Sequence, residues 1–171
     1  LAPIALGAIY YILPKRIGRP ISGYSWAPLG FWSFALFATF GGLAYLAGGP
    51  VPGWVQALGV SANFMMLVPL TVIGYNFIGT MLSGSAAGGS GPALRFIKFG
   101  AIAFLIAGVM IKIFSVPQVY VTTQLTFVNE AMNQMHWYAF VTMSFFGAIY
   151  FLLPRLVSQG WPSGALITAH Y

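Results

Sequence analysis

The stretch that decides the fold class is residues 94–114, LRFIKFGAIAFLIAGVMIKIF. Apart from Arg95, Lys98 and Lys112, every residue in it is apolar or glycine. A helix rises about 1.5 Å per residue, so it needs roughly 20 apolar residues to cross a hydrocarbon layer about 30 Å thick. This stretch therefore predicts a membrane-spanning helix.

Further apolar segments lie on both sides of this stretch. With it, they are Leu1–Pro14, Trp26–Ala47, Val60–Leu82, Leu94–Phe114, Ala131–Leu153 and Ala165–Tyr171. The first and last are too short to span, which favours a fragment of a longer chain with four complete and two partial spans. The predicted fold class is all-α, a polytopic membrane helix bundle that forms one transmembrane domain over residues 1–171. No charged region precedes Leu1, so no signal peptide is predicted.

The charge content excludes a soluble or a disordered protein. Apolar residues make up 59% of the chain, against seven basic side chains and one acidic side chain, whereas soluble domains are about 25% charged. Disordered chains are polar and poor in aromatic residues, unlike this one. The cations are too few and too scattered for a nucleic-acid surface. The sequence has no cysteine, so it offers neither disulfides nor iron–sulfur ligands. Membrane lipid is the predicted partner of much of the surface.

Proline, glycine and charged residues mark the connections between the segments. The predicted loops are Lys15–Pro20, Gly48–Trp54 and Ser83–Pro92, the last of them a flexible linker. Alternate connections carry six cations against one. The six are Lys15, Arg16, Arg19, Arg95, Lys98 and Arg155, and the one is Lys112. The positive-inside rule places the connections with six cations in the cytoplasm, so the fifth segment begins at the outer face.

A decapeptide at the end of the first segment recurs 140 residues later. Residues 6–15, LGAIYYILPK, match residues 146–155, FGAIYFLLPR, at six of ten positions. A chance similarity between helix ends is the alternative interpretation. A true repeat predicts a four-helix unit used twice in the same orientation, about an axis along the membrane normal.

Ionisable side chains at membrane depth are costly and therefore indicate functional sites. A haem iron in a helix bundle needs a neutral imidazole on a rigid helix, and His136 fits that description. The alternative for His136, and the preferred interpretation for His170, is a polar helix residue that is hydrogen-bonded to a neighbouring carbonyl. Lys112 is predicted to extend to the membrane interface. Glu130 is predicted to lie in a loop or to cap the fifth segment at its N-terminal end.

Several motifs resemble the catalytic subunit I of cbb-type haem–copper oxidases, in the same order along nearly the whole chain. They are residues 7–20 (GAIYYILPKRIGRP), 52–56 (PGWVQ), 76–81 (NFIGTM), and His136 followed by residues 146–156 (FGAIYFLLPRL). The resemblance implies a twelve-helix fold of three four-helix arcs about a pseudo-threefold axis, which the related nitric oxide reductases share. This chain would then correspond to the end of the sixth helix through the start of the eleventh.

The resemblance also implies where haem would bind. The family's tenth helix carries His-x-His, one histidine for each haem, and the best match here is Gln134-Met135-His136. His136 is then expected to ligate a low-spin b-type haem. Gln134 stands at the high-spin position, where an amide is a poor iron ligand. An ungapped alignment counted back from Gly147 instead places the triplet at Met132-Asn133-Gln134, which has no histidine.

The positions that resemble the family's oxygen-reducing site lack its ligands. The adjacent copper histidines correspond to Ala44 and Tyr45, and neither side chain replaces imidazole for copper. The cross-linked tyrosine corresponds to Phe104, which has no phenol, and the third copper histidine would lie before Leu1. Copper is therefore not expected. These degenerate positions, together with Gln134, leave no catalytic residue in view.

The predicted function is that of an integral membrane subunit I-like protein in a respiratory or other electron-transfer complex, which binds low-spin haem and does not itself reduce oxygen. Two alternatives stay open. One is a metal-free structural or assembly subunit, and the other is an active oxidase or nitric oxide reductase with unconventional ligands such as Tyr45 or Gln134. A transporter is the weakest alternative, because only Pro69 interrupts a span. The expected partners are other subunits, cytochrome c subunits among them, in the bacterial inner membrane.

Overall fold

A computed structural model describes residues 1–46, 49–83, 91–161 and 163–171, and every regular element within those ranges is helical. The helices are α1 (Ala2–Ile17), α2 (Ala27–Gly41), α3 (Gly53–Met65), α4 (Leu67–Ser83), α5 (Pro92–Phe114), α6 (Pro117–Thr123), α7 (Phe127–Gln134), α8 (Met143–Val157) and α9 (Gly164–His170). Short 3-10 helices lie at Tyr24–Trp26 and Gly42–Leu46. A π-helical segment, Met135–Thr142, joins α7 to α8. The prediction of an all-α fold is confirmed.

Within the described residues, four helical stretches are long and apolar enough to cross a membrane, as predicted. They are Tyr24–Leu46, Gly53–Ser83, Pro92–Phe114 and Phe127–Val157. The end of the second predicted segment, at Ala47, and residues 84–90 of the predicted linker lie outside the described residues. The chain is thus a multi-pass membrane protein. Its orientation in the membrane stays a prediction.

Both similar decapeptides place their proline inside a helix. Both α1 and α8 continue for three residues beyond Pro14 and Pro154. Proline lacks an N–H, but its carbonyl still accepts, and the Gly18 N–H donates to the Pro14 carbonyl over 2.8 Å. The residues that follow the two helices, Gly18 and Ser158, have φ of 74° and 55°, which are left-handed caps. The loop predicted to begin at Lys15 is therefore wrong for its first three residues.

The third predicted segment, Val60–Leu82, consists of two helices in line. The first of them, α3, begins earlier than predicted at Gly53, and a turn at Met66 separates it from α4. Pro69 accounts for the break, because it has no N–H and its ring clashes with the carbonyl four residues earlier, that of Met65.

The fifth predicted segment falls short of the observed helix, and the sixth is displaced from its helix by one residue. The fifth segment lies inside continuous helix from Phe127 to Val157, so the helix extends beyond both predicted ends. The sixth segment is α9, where the Ser163 hydroxyl accepts from the Leu166 N–H over 3.4 Å as an N-cap. Helix α6 was not predicted, and Pro117 occupies its first position, a position that suits proline because its N–H would be unpaired anyway.

The described chain divides into two compact units. The first unit contains residues 1–22, 77–104 and 135–171, and the second contains residues 23–76 and 105–134. The core of the first unit is aromatic and fully buried. It includes Phe77, Phe96, Phe140 and Phe151. In the second unit α2 packs on α3, and the 3-10 helix Gly42–Leu46 lies against α3. That residues 1–171 form a single transmembrane domain stays a prediction.

Candidate functional site

His136 is the second residue of the π-helical segment. In such a segment the backbone bonds five residues apart instead of four, a geometry that is frequent at functional sites. The partly buried imidazole packs edge-on against Phe140, with ring centroids 5.2 Å apart, and against Trp137, 5.9 Å apart. Across the described ranges the imidazole has these ring contacts and no hydrogen-bond partner. The carbonyl bond of the alternative interpretation is therefore not formed there.

Two hydroxyl groups stabilise the backbone around His136. Thr142 Oγ1 donates to the Trp137 carbonyl over 3.0 Å. The buried Ser144 Oγ donates to the Phe140 carbonyl over 2.6 Å. Trp137 and Phe140 are the residues whose rings contact the imidazole, so these two hydroxyls hold in place the backbone that positions His136.

Phe104, at the position that resembles the family's tyrosine, packs against the same ring cluster. Its ring centroid lies 4.9 Å from that of Phe140, and only 5% of Phe104 is exposed. His136, Phe140 and Phe104 therefore form a continuous row of rings within the first unit. A phenyl ring has no hydroxyl, so this row positions the imidazole by packing and offers no proton donor.

The Gly100→Ala substitution is expected to disturb this arrangement. A Cβ at position 100 of α5 would lie 2.5 Å from Ser144 Oγ and 3.3 Å from the Phe140 carbonyl oxygen, so either the hydroxyl bond breaks or α5 moves. We expect a loss of about 1–3 kcal/mol in unfolding free energy, measured by denaturation in detergent. Gly7→Ala on α1 is the matched control, because nothing lies within 4 Å of its Cβ position. Equal stability of the two variants would contradict the packing described.

Ala44, one of the two positions that resemble the copper ligands, lies in a closely packed turn. It is 4% exposed in the 3-10 helix Gly42–Leu46. A Cβ on Gly59 of α3 would overlap the Ala44 backbone nitrogen, so the turn and α3 approach as closely as glycine permits. The methyl group of Ala44 cannot ligate a metal, and a larger side chain there would displace buried neighbours.

Tyr45, the neighbouring position, lines a cavity of about 290 Å³ in the second unit. The Tyr120 hydroxyl donates to the Tyr45 carbonyl over 3.1 Å. Met132 and Asn133, from the alternative haem triplet, line the same cavity, as does Ser115. The structure thus brings together two sets of positions that the family resemblance had suggested separately. These residues supply hydroxyls, an amide and the Met132 thioether, and of these only the thioether suits copper, as Cu(I).

Gln134 is engaged by its own helix. Its Nε2 donates to Glu130 Oε1 over 2.5 Å. Glu130 lies in the first turn of α7, where a carboxylate is favoured by the helix dipole, close to the capping position predicted for it. The amide at the position resembling the high-spin haem ligand therefore already has a carboxylate partner.

Lys112 has a partner that the sequence did not reveal. Its Nζ donates to Asn63 Oδ1, which joins α5 to α3 within the second unit. Asn63 is 4% exposed, and its Nδ2 has no partner among the described residues. The signal in the sequence was an asparagine inside an apolar segment, but nothing local pointed to a lysine 49 positions away.

The His170 side chain makes a hydrogen bond to another side chain. It therefore has a structural partner in its surroundings. The Tyr150 hydroxyl lies 2.7 Å from His170 Nδ1, and the Phe146 ring packs edge-on to the imidazole at 4.7 Å. In the part of the chain that the structure describes, no three His, Cys, Asp or Glu side chains group closely enough to hold a metal ion.

Comparison with known proteins adds the family. A family model described as Cytochrome C and Quinol oxidase polypeptide I matches residues 1–171. A cytochrome c oxidase subunit 1 homolog of Agrobacterium tumefaciens is 28% identical over 155 residues, covering 88% of this chain and 28% of the relative. The Cbb3-type cytochrome c oxidase subunit CcoN1 of Stutzerimonas stutzeri is 28% identical over 172 residues, covering 97% of this chain and 35% of the relative.

A cytochrome c oxidase subunit 1 of Rhodobacter capsulatus is 26% identical over 172 residues, covering 97% of this chain and 31% of the relative. The chain thus spans about a third of the length of the curated relatives it matches. The family match extends over the whole sequence and agrees with the all-α membrane fold and with the order of the motifs. The chain therefore belongs to the cytochrome c and quinol oxidase polypeptide I family, the subunit I family of haem–copper oxidases.

Proposed function

We propose that this chain belongs to a bacterial inner-membrane electron-transfer complex in which His136 ligates a low-spin b-type haem and oxygen is not reduced. The observation that carries the proposal is the placement of His136 on a π-helical segment, with its ring packed against Phe140 and Trp137. Other subunits, cytochrome c subunits among them, are the proposed partners. The presence of a cytochrome c oxidase subunit of the cbb3 type among its relatives supports that assignment.

The residues around His136 fit one axial position of a haem. The imidazole is held on a helix by two ring contacts, and no described residue hydrogen-bonds to it, so a nitrogen is available to iron. A low-spin haem held there by His136 would supply one-electron transfer. The chain's own contribution is to orient the imidazole through Phe140 and to surround it with apolar rings that exclude water.

Three positions support the absence of oxygen reduction. Ala44 offers a methyl group in a closely packed turn. Gln134 donates its amide to Glu130, and Phe104 is a buried phenyl group. Oxygen reduction in this family needs copper beside a high-spin haem, and none of these side chains replaces imidazole as a ligand.

One observation favours a second candidate, an active oxidase or nitric oxide reductase with unconventional ligands. Tyr45, at a position resembling a copper ligand, lines a cavity of about 290 Å³ together with Met132. This space is large enough for several water molecules or a small substrate. The metal content of the protein separates this candidate from the first.

Metal and haem analysis of the purified full-length protein tests the proposal. We expect a b-type reduced-minus-oxidised spectrum, haem iron and no copper above background. Stoichiometric copper would overturn the non-reducing half of the proposal and favour the second candidate. Protein that lacks both iron and a b-type signal would overturn the haem assignment and leave a structural subunit.

A further inference from the structure

An apolar groove of about 540 Å³ runs between α1 and α8 in the first unit. On α1 it is lined by Ile4, Ala8 and Tyr11, and on α8 by Ile149 and Leu152 among others. Residues three or four positions apart share one face of a helix. The groove is therefore a continuous apolar strip along two helices.

Three basic side chains, those of Lys15, Arg16 and Arg155, lie at one end of this apolar strip. Lys15 follows Tyr11 by one turn and lies over its ring, with Nζ 3.9 Å from the centroid. Two guanidinium groups flank the Phe151 ring, with the Arg155 Cζ at 3.6 Å and the Arg16 Cζ at 5.0 Å from its centroid. Lys15 and Arg155 each contact one of two neighbouring rings, those of Tyr11 and Phe151, whose centroids lie 6.1 Å apart, so both cations lie at the same end of the groove.

These cations lack a counter-charge. The only acidic side chain in the sequence is Glu130, which is bonded to Gln134 in the second unit. Arg16 Nε is buried and has no hydrogen-bond partner among the described residues. Burial, with the neighbouring charge of Arg155, lowers the pKa of Arg16. An acceptor-rich anion beside the Arg16 and Arg155 guanidinium groups would relieve this repulsion.

We propose that the groove binds an anionic phospholipid, with its acyl chains along α1 and α8 and its phosphate at Arg16 and Arg155. The apolar walls match acyl chains, and the cations without a counter-charge at one end match a phosphate, whose oxygens accept the paired donors of a guanidinium. A transmembrane helix would match the apolar walls but not the cations. Basic pockets between membrane helices on the cytoplasmic side are typical sites of such lipids.

Native mass spectrometry of the full-length protein tests this site, with phosphatidylglycerol and phosphatidylcholine as the added lipids. The wild type is expected to retain phosphatidylglycerol in preference to phosphatidylcholine. Arg16→Gln is expected to weaken that retention about fivefold, and Arg16→Gln with Arg155→Gln to weaken it further. Arg95→Gln is the matched control, since Arg95 is an exposed cation of the same predicted membrane face and is not part of the groove lining.

Because Arg155 Nη1 also donates to the Phe151 carbonyl over 2.8 Å, Arg155→Gln alone could disturb α8. Arg155→Lys keeps the charge and is expected to keep phosphatidylglycerol bound. A photo-crosslinking residue at position 8 gives an independent readout, with a lipid adduct expected. Equal retention by the wild type and Arg16→Gln, or an adduct to a polypeptide at position 8, would overturn the proposal. Both readouts are independent of haem content.

Discussion

The His136→Ala variant is expected to lose the b-type haem signal, with a fall of at least about tenfold in haem bound per protein. Alanine removes the imidazole proposed as an axial ligand and leaves the Phe140 and Trp137 rings that now pack against it. The measurement is the reduced-minus-oxidised spectrum of the purified full-length protein, scaled to its concentration. His136→Gln keeps a polar side chain of similar size and is expected to lose the signal equally, because an amide is a poor iron ligand.

The sequence offers a matched control in its second histidine. His170 is bonded to the Tyr150 hydroxyl and packed on Phe146, so His170→Ala is expected to cost stability while the haem spectrum persists. A signal that survives His136→Ala would refute the assignment of the ligand. The spectrum of the α5 variant Gly100→Ala is expected to weaken as well, because the clash with Ser144 moves the backbone that positions His136.

The second large effect is expected for Asn63→Leu, which should lower the free energy of unfolding by about 3 kcal/mol. The substitution leaves the Lys112 ammonium without its partner inside a membrane-spanning helix, and an unsatisfied charged group in a partly buried site costs more than a neutral one. Thermal denaturation in detergent, followed by circular dichroism, measures the loss.

A double-mutant cycle isolates this interaction. Lys112→Met alone leaves only a neutral amide unpaired, so its expected cost is smaller, about 1–2 kcal/mol. The double variant Asn63→Leu with Lys112→Met replaces both polar groups by apolar ones of similar size. We expect it to recover at least half of the loss caused by Asn63→Leu. Strictly additive effects of the two substitutions would show that the pair is not coupled.

The fold was predictable from the sequence wherever it depends on local composition. The predicted segment at residues 94–114 agrees in length with α5. Crossing the hydrocarbon layer requires a minimum number of apolar residues, whatever surrounds them. The helix ends were less predictable. The first predicted segment ends at Pro14, but the Pro14 carbonyl still accepts from the Gly18 N–H. Gly18 therefore sets the C-terminal end of α1. Pro69 did break its segment, because its ring clashes with the preceding turn.

The candidate site was predictable only in part. The family resemblance pointed to His136, Ala44, Tyr45, Phe104 and Gln134, and the family itself is confirmed. The assignment of His136 to haem, and the loss of copper, stay predictions. The π-helical segment was missed, because a shift from four-residue to five-residue bonding leaves no mark on apolar periodicity over eight residues. The partner of Lys112 was missed because it lies 49 positions away.

The lipid environment, the helical class and the family resemblance could be inferred from the residues alone, because each follows from residues that are close together or from their order. The tertiary structure decided which polar groups meet. In the folded chain Lys112 bonds to Asn63, and the rings of Phe140 and Phe104 pack in a row with His136. Arg16 and Arg155 both lie near the Phe151 ring. In a chain with so few polar side chains, these long-range contacts depend on how the helices pack, and packing depends on residues far apart in the sequence.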